Sequence, residues 1–196
     1  MTATIARGSG RPRSPEADQA ILRAAVELYA ADGFDATTVE AVAARAGVGK
    51  ATVYRRYPNR VALIVAAATE VCTGLARPCD TGSVREDLRA IARGMVRTLG
   101  DEPTRAMLAE ISAAAARHPE LRTAQHSFVA SRRAVAADAI GRGIARRELR
   151  PDTKVEVMTD LVAAPLYHRA VNLGLPVDQA YADALVTAAV AAFAAR

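Results

Sequence analysis

Tryptophan is absent from this chain, aromatic residues make up only 4% of it, and its 196 residues include just two cysteines. The shortage of aromatic side chains, with no alternating apolar pattern, excludes a β-sandwich or barrel. Cys72 and Cys79 lack metal-type spacing and a nearby histidine, and read as two small hydrophobes in helices. The longest clean apolar run, 61–68, falls far short of the ~20 residues that span a bilayer. Residues 1–13 contain no apolar core of a secretory signal. The expectation is a cytoplasmic chain with no membrane partner. HExxH, a Cys–His cluster, a Gly-rich phosphate loop and a nucleophile elbow are also missing. That argues against an enzyme, and no metal or cofactor is expected.

What the chain has in quantity is alanine, 46 residues of it, within a 51% hydrophobic composition. Ala, Leu, Arg and Glu lose little rotamer freedom in a helix, so an all-α fold is expected. Such apolar content also excludes a disordered chain. The net charge is +5, carried almost wholly by arginine, since Lys50 and Lys154 are the only lysines. Residues 1–60 hold nine basic and six acidic residues, and residues 61–196 hold seventeen and fifteen. The excess is therefore +3 in the first segment and +2 in the much longer second one. A concentrated basic excess suits a polyanionic partner.

Local punctuation divides the chain. Residues 1–13 read as a flexible basic arm, broken by Gly8, Gly10 and Pro12. Ser14 and Pro15 open a first helix, with Glu16 and Asp18 at its positive end. Its apolar stripe is Ile21, Ala24, Ala25, Leu28 and Tyr29, and Gly33 ends it, after which Phe34 turns back to the core. Thr37 or Thr38 caps a second short helix with stripe Val39, Val42, Ala43 and Ala46. Gly47 terminates that helix, and Lys50 opens a third running to Tyr57, before Pro58. Longer helices are expected at about 60–77, 84–99, 103–116, 120–147, 153–172 and 177–195, giving about nine in all.

Two short amphipathic helices joined by a Gly-containing turn fit a helix-turn-helix, residues 14–59. Val53 and Tyr57 face inward, leaving Lys50, Ala51, Thr52, Tyr54, Arg55 and Arg56 outward. Lys50 and Arg55 suit guanine edges or phosphates, Tyr54 and Thr52 suit phosphate oxygens, and the small Ala51 lets the backbone approach the bases. The run TTVEAVAARAGVGKATVYRRYPNRVAL, Thr37 to Leu63, with the upstream ILRAAVELYAADGFDATTVE, resembles the DNA-binding signature of the tetracycline-repressor (TetR) family of bacterial regulators. The resemblance covers about 50 residues. It implies that Thr38, Lys50, Ala51, Thr52, Tyr54, Arg55, Arg56 and Arg60 meet double-stranded operator DNA. It further implies that Arg11 and Arg13, in GRPR, form a minor-groove arm. Gly49 departs from the pattern, standing where the family often has a hydroxyl cap.

Residues 60–196 are then expected to form a helical ligand-binding and dimerisation domain. A homodimer suits two-fold half-sites. Its seam is expected on the last two helices, at Met158, Val162, Pro165, Leu166 and Arg169 and at Tyr181, Leu185, Ala188, Ala189, Ala192 and Phe193. Pro165 should kink its helix. A small-molecule effector cavity, implied by the resemblance, draws on Cys72, Met95, Met107, Phe128 and Tyr167 as candidates. The reading is a ligand-responsive repressor. A helical small-molecule-binding or scaffold protein without specific DNA binding is the alternative.

Overall fold

The computed structural model describes residues 15–72 and 79–195. Ser14, Arg11, Arg13 and the whole arm lie outside the described residues. Among those described, nine α-helices follow one another: α1 Pro15–Ala36, α2 Val39–Arg45, α3 Lys50–Tyr54, α4 Arg60–Val71, α5 Val84–Gly100, α6 Glu102–Ala115, α7 Pro119–Ala145, α8 Val155–Tyr167 and α9 Gln179–Phe193. A π-helical turn, His168–Asn172, continues α8 beyond Pro165. The architecture is all-α.

The stripe of α1 turns inward as the spacing requires: Ile21, Ala24, Ala25, Leu28 and Tyr29 are buried. Gly33 adopts φ 75°, a left-handed value that costs glycine little. That reversal lets Phe34 fold back until it is 3% exposed. Thr37 and Thr38 divide the labour. Thr37 is fully buried and donates its hydroxyl to the Gly33 carbonyl at 2.7 Å. Thr38 caps α2, accepting from the Ala41 amide at 3.1 Å. Gly47, at φ 66°, makes the turn, and Val53 anchors α3 from inside. Helix α3 ends at Tyr54 rather than Tyr57, because the chain has tightened into a turn before Pro58. Asn59 caps α4, accepting from the Ala62 amide at 2.8 Å.

Two apolar cores organise the molecule. The first gathers α1 to α4 and continues into α6 and Leu121 of α7, so the helix-turn-helix shares its core with the following helices. The second lies between α5, the C-terminal half of α7, α8 and α9. Within it Gly143 of α7 meets α5 so closely that a Cβ there would lie 2.7 Å from Val84 Cβ. A polar clamp closes the same junction. Buried Asp87 accepts from the Thr81 amide and hydroxyl at 2.8 and 2.7 Å and from Arg142 at 3.2 Å. Glu148 accepts from the Val84 amide at 2.8 Å, satisfying a donor at the start of α5 that the helix itself leaves free.

The inward faces of α8 and α9 correct part of the expected seam. Met158, Val162, Leu166 and Ala189 are 0 to 3% exposed and belong to the second core. Their own chain encloses them, so they offer no surface to a partner. Tyr181, Leu185 and Phe193 pack against the same core and are partly buried. Arg169 stacks on Tyr181 at 4.9 Å and donates to the Pro176 carbonyl at 2.8 Å, which fastens the α8–α9 connection. Pro165 is intermediate, while Ala188 and Ala192 are exposed. The large apolar side chains that α8 does expose are Val157, at 49%, and Leu161, at 44%.

Candidate functional site

The outward surface of α3 is short, polar and open. Lys50, Ala51, Tyr54 and Arg55 are exposed and Thr52 is intermediate. They share one face because Val53 points inward and is fully buried. Lys50 Nζ lies 3.3 Å from Glu40 of α2, with 62% of the lysine side chain still exposed. Thr38 sits at the start of α2. Its oxygen accepts the capping bond, and its hydroxyl proton remains available to donate. Gly49 caps α3 through backbone alone, with the Thr52 amide donating to its carbonyl at 2.8 Å.

Two arginines expected on this surface are used elsewhere. Arg56 Nε lies 2.5 Å from Asp18 of α1, and only 6% of its side chain is exposed. Its NH1 donates to the Thr52 carbonyl at 3.3 Å. Arg56 therefore ties the end of α3 to α1. Arg60 donates to the carbonyls of Phe34 and Asp35, both at 3.2 Å, and its guanidinium stacks 3.8 Å from the Phe34 ring centroid. It bolts the start of α4 to the end of α1. The bare sequence offers no signal for either role, since the partners lie 38 and 25–26 residues away.

Behind α4 lies a cavity of about 520 Å³. Cys72, Met95, Phe128 and Tyr167 line it. Met107 does not: it is fully buried in the first core. Leu108, Ile111 and Ser112 occupy the cavity face of α6, and Met107 falls on the neighbouring face, toward α1. Polar lining residues not foreseen include Ser112, Gln125, Arg132, Arg133 and Asp160. Tyr167 and Ser112 share a 2.8 Å hydrogen bond, and Gln125 donates to Ser112 at 3.1 Å. Burial raises the Tyr167 phenol above its ordinary pKa, so it acts as a neutral hydroxyl. Cys72 is fully buried, which pushes its thiol up to about 11.

Comparisons with known proteins decide what this geometry belongs to. Residues 21–67 match the model of the bacterial regulatory proteins of the tetR family. Residues 78–189 match that of the tetracyclin repressor-like C-terminal domain. The chain belongs to the TetR family of transcriptional regulators. A relative from Bacillus subtilis, the uncharacterized HTH-type transcriptional regulator YdeS, is 33% identical over 177 residues, covering 90% of this chain and 89% of its own. The DNA-binding transcriptional repressor TetR of Mycobacteroides abscessus is 30% identical over 184 residues, covering 93% of each chain. The crystal structure of the TetR family regulator SCO0332 superposes with a TM-score of 0.71 at 34% identity, over 90% of this chain and 97% of that one. The matched stretch 21–67 contains α3, whose exposed face is the part of the site most legible in the sequence. The cavity had no comparable local motif, because its lining comes from five helices.

Proposed function

We propose that this TetR-family regulator is a homodimeric repressor, without catalytic activity, that a small molecule releases from a (pseudo)palindromic operator. The observation that carries the reading is the exposed face of α3, where Lys50, Ala51, Tyr54 and Arg55 stand clear of the core. Lys50 and Arg55 would read base edges or phosphates. Thr38, Thr52 and Tyr54 would position the protein on phosphate oxygens. The repressor named among the relatives supports the sign of regulation.

Dimerisation is supported by Val157 and Leu161, large apolar side chains left uncovered on α8. Helix α9 in turn exposes small residues, Ala184 and Ala188 among them. Small side chains allow close helix approach, so α8 and α9 from two subunits suit a four-helix seam. Release is supported by α4, which starts at the helix-turn-helix and reaches the cavity at Val65, Ala68 and Cys72. An effector shifts the operator equilibrium only through different affinity for two conformations. A coupling of about 1–3 kcal/mol changes operator affinity about 5- to 150-fold.

Selection of bound duplexes from a random library tests the reading. The expected product is an inverted repeat with half-site centres about one helical turn apart. Tyr54→Phe should weaken binding to all selected duplexes alike, whereas Lys50→Ala should change the preferred sequence. Equal affinity for every duplex at physiological salt would overturn the regulator reading.

A further inference from the structure

The cavity carries one charge that the protein does not balance. Its lining includes the side chains of Arg132, Arg133 and Asp160. Arg133 and Asp160 pair with each other. Arg132 has no carboxylate within ion-pair distance among the described residues, and the stretch 73–78 contains no acidic residue. The Arg132 guanidinium lies 5.3 Å from the Phe128 ring centroid and donates to the Cys72 carbonyl at 3.2 Å. Its Nε is buried with no acceptor among the described residues. A part-buried guanidinium facing an apolar space without a counter-charge bears a desolvation penalty that an anion would relieve. The other polar patch, Tyr167 with Ser112 and Gln125, is satisfied within itself. Around these groups the wall is hydrocarbon, with Met95, Leu99 and Ile111 prominent.

We propose that the cavity takes a singly charged organic acid, a carboxylate on a largely hydrocarbon body, with the carboxylate docked on Arg132. The proposal rests on the effector reading above and names the chemical class. One uncompensated guanidinium matches one negative charge, whereas a phosphate dianion would bury a second charge without a partner. The cavity volume is within the range that holds a drug-sized ligand. Docking also supplies a route of control. Arg132 holds the carbonyl of Cys72, which terminates α4. A carboxylate engages a guanidinium through paired charge-assisted bonds, which are stronger than a bond to a neutral carbonyl. Docking draws the guanidinium toward the acid, and so loosens the bond by which Arg132 NH1 holds the end of α4. The opposite end of α4 begins at Asn59, directly after the recognition helix and its turn.

The test uses the full chain, isothermal titration calorimetry and thermal melting. The probes are straight-chain carboxylates from octanoate to hexadecanoate and 4-phenylbutanoate, each paired with its primary alcohol and its alkylamine. At least one carboxylate should bind about ten- to a hundredfold more tightly than its alcohol, with the amine weaker still. Arg132→Gln should erase the difference between acid and alcohol, and Arg132→Lys should keep part of it. Asp160→Asn, at a side chain 53% exposed, should free Arg133 and tighten carboxylate binding. If Arg132→Gln does not fold, this second variant and the acid–alcohol comparison decide. Equal affinity for acid and alcohol, preference for the amine, no acid bound, or an undiminished preference in Arg132→Gln would each overturn the proposal. Operator affinity, read by fluorescence anisotropy on a selected duplex, separates the two claims. Specific duplex binding without acid binding removes the organic-acid proposal and leaves the regulator. Loss of specific duplex binding removes the regulator, while acid selectivity that disappears in Arg132→Gln still upholds the ligand site. Where both hold, saturating acid should weaken operator binding at least about fivefold in the wild type and leave Arg132→Gln unchanged.

Discussion

Gly49 precedes α3 as its N-cap with an ordinary φ of −71°, makes no side-chain capping bond, and has open space where a Cβ would stand. Glycine is therefore not required there. Gly49→Ser should add an N-cap worth about 0.3 kcal/mol and place a hydroxyl beside the proposed phosphate contacts. The expected outcome is an unchanged or slightly higher melting temperature with tighter duplex binding, checked by calorimetry and anisotropy. A fall in either would show that the position needs glycine. Cys72 makes a second case at this scale. Burial holds its thiol up at about 11, so thiolate is scarce at neutral pH. Iodoacetamide at pH 8 should leave Cys72 unmodified in the native protein and alkylate it in urea, with mass spectrometry as the readout. The small-hydrophobe reading of this cysteine was legible from residue type. The inward turn of Arg56 and Arg60 was not, because an arginine on a basic helix face looks the same whether it meets phosphate, Asp18 or a backbone carbonyl.

Helix α5 meets α7 through contact and charge together. At Gly143 an added methyl group would strike Val84 at 2.7 Å. Gly143→Ala should therefore cost about 1–3 kcal/mol through overpacking, despite alanine's better helix propensity. A stabilised variant in chemical denaturation would show that α5 shifts freely. Asp87 is fully buried at the same crossing. Burial by itself would raise its pKa. The hydrogen bonds from Thr81 and Arg142 overcome that effect and hold it below the ordinary carboxylate value. A carboxyl depressed in the folded state stabilises the protein above its unfolded pKa, about 3.9. That contribution is lost as pH falls through the lower folded value. Asp87→Asn removes the buried carboxylate from the clamp while Arg142 keeps Asp80 at 3.5 Å, so it should cost about 1–3 kcal/mol at pH 7 and flatten acid unfolding below pH 4. An acid-unfolding curve of unchanged shape would count against the clamp. Helical spacing placed these helices but gave no hint of the clamp, since its residues come from a loop and two separated helices.

At the scale of the whole molecule, α8 must serve two faces. Its inward face, Met158, Val162 and Leu166, completes the second core. The face turned outward carries Val157 and Leu161. Leu161→Glu should yield folded monomers in analytical ultracentrifugation, with duplex affinity sharply reduced. Leu166→Glu should unfold the chain by placing a charge in the core. A Leu161→Glu protein that remains dimeric would move the seam away from α8. Sequence periodicity found α8 and α9 as helices with an apolar side. It did not distinguish the side that closes the core from the side left exposed, because alanine-rich helices are apolar nearly all round. What the sequence by itself determined was local: the breaks at Gly33 and Gly47, the stripe of α1, and the helix-turn-helix motif with its outward Lys50 and Tyr54. These follow from interactions within a few turns of one helix. Tertiary structure alone decided which arginines are consumed by the scaffold, which methionine faces the cavity, and that Arg132 meets Cys72 across 60 residues. Each depends on the angle at which distant helices pack, and that angle is set by the core as a whole.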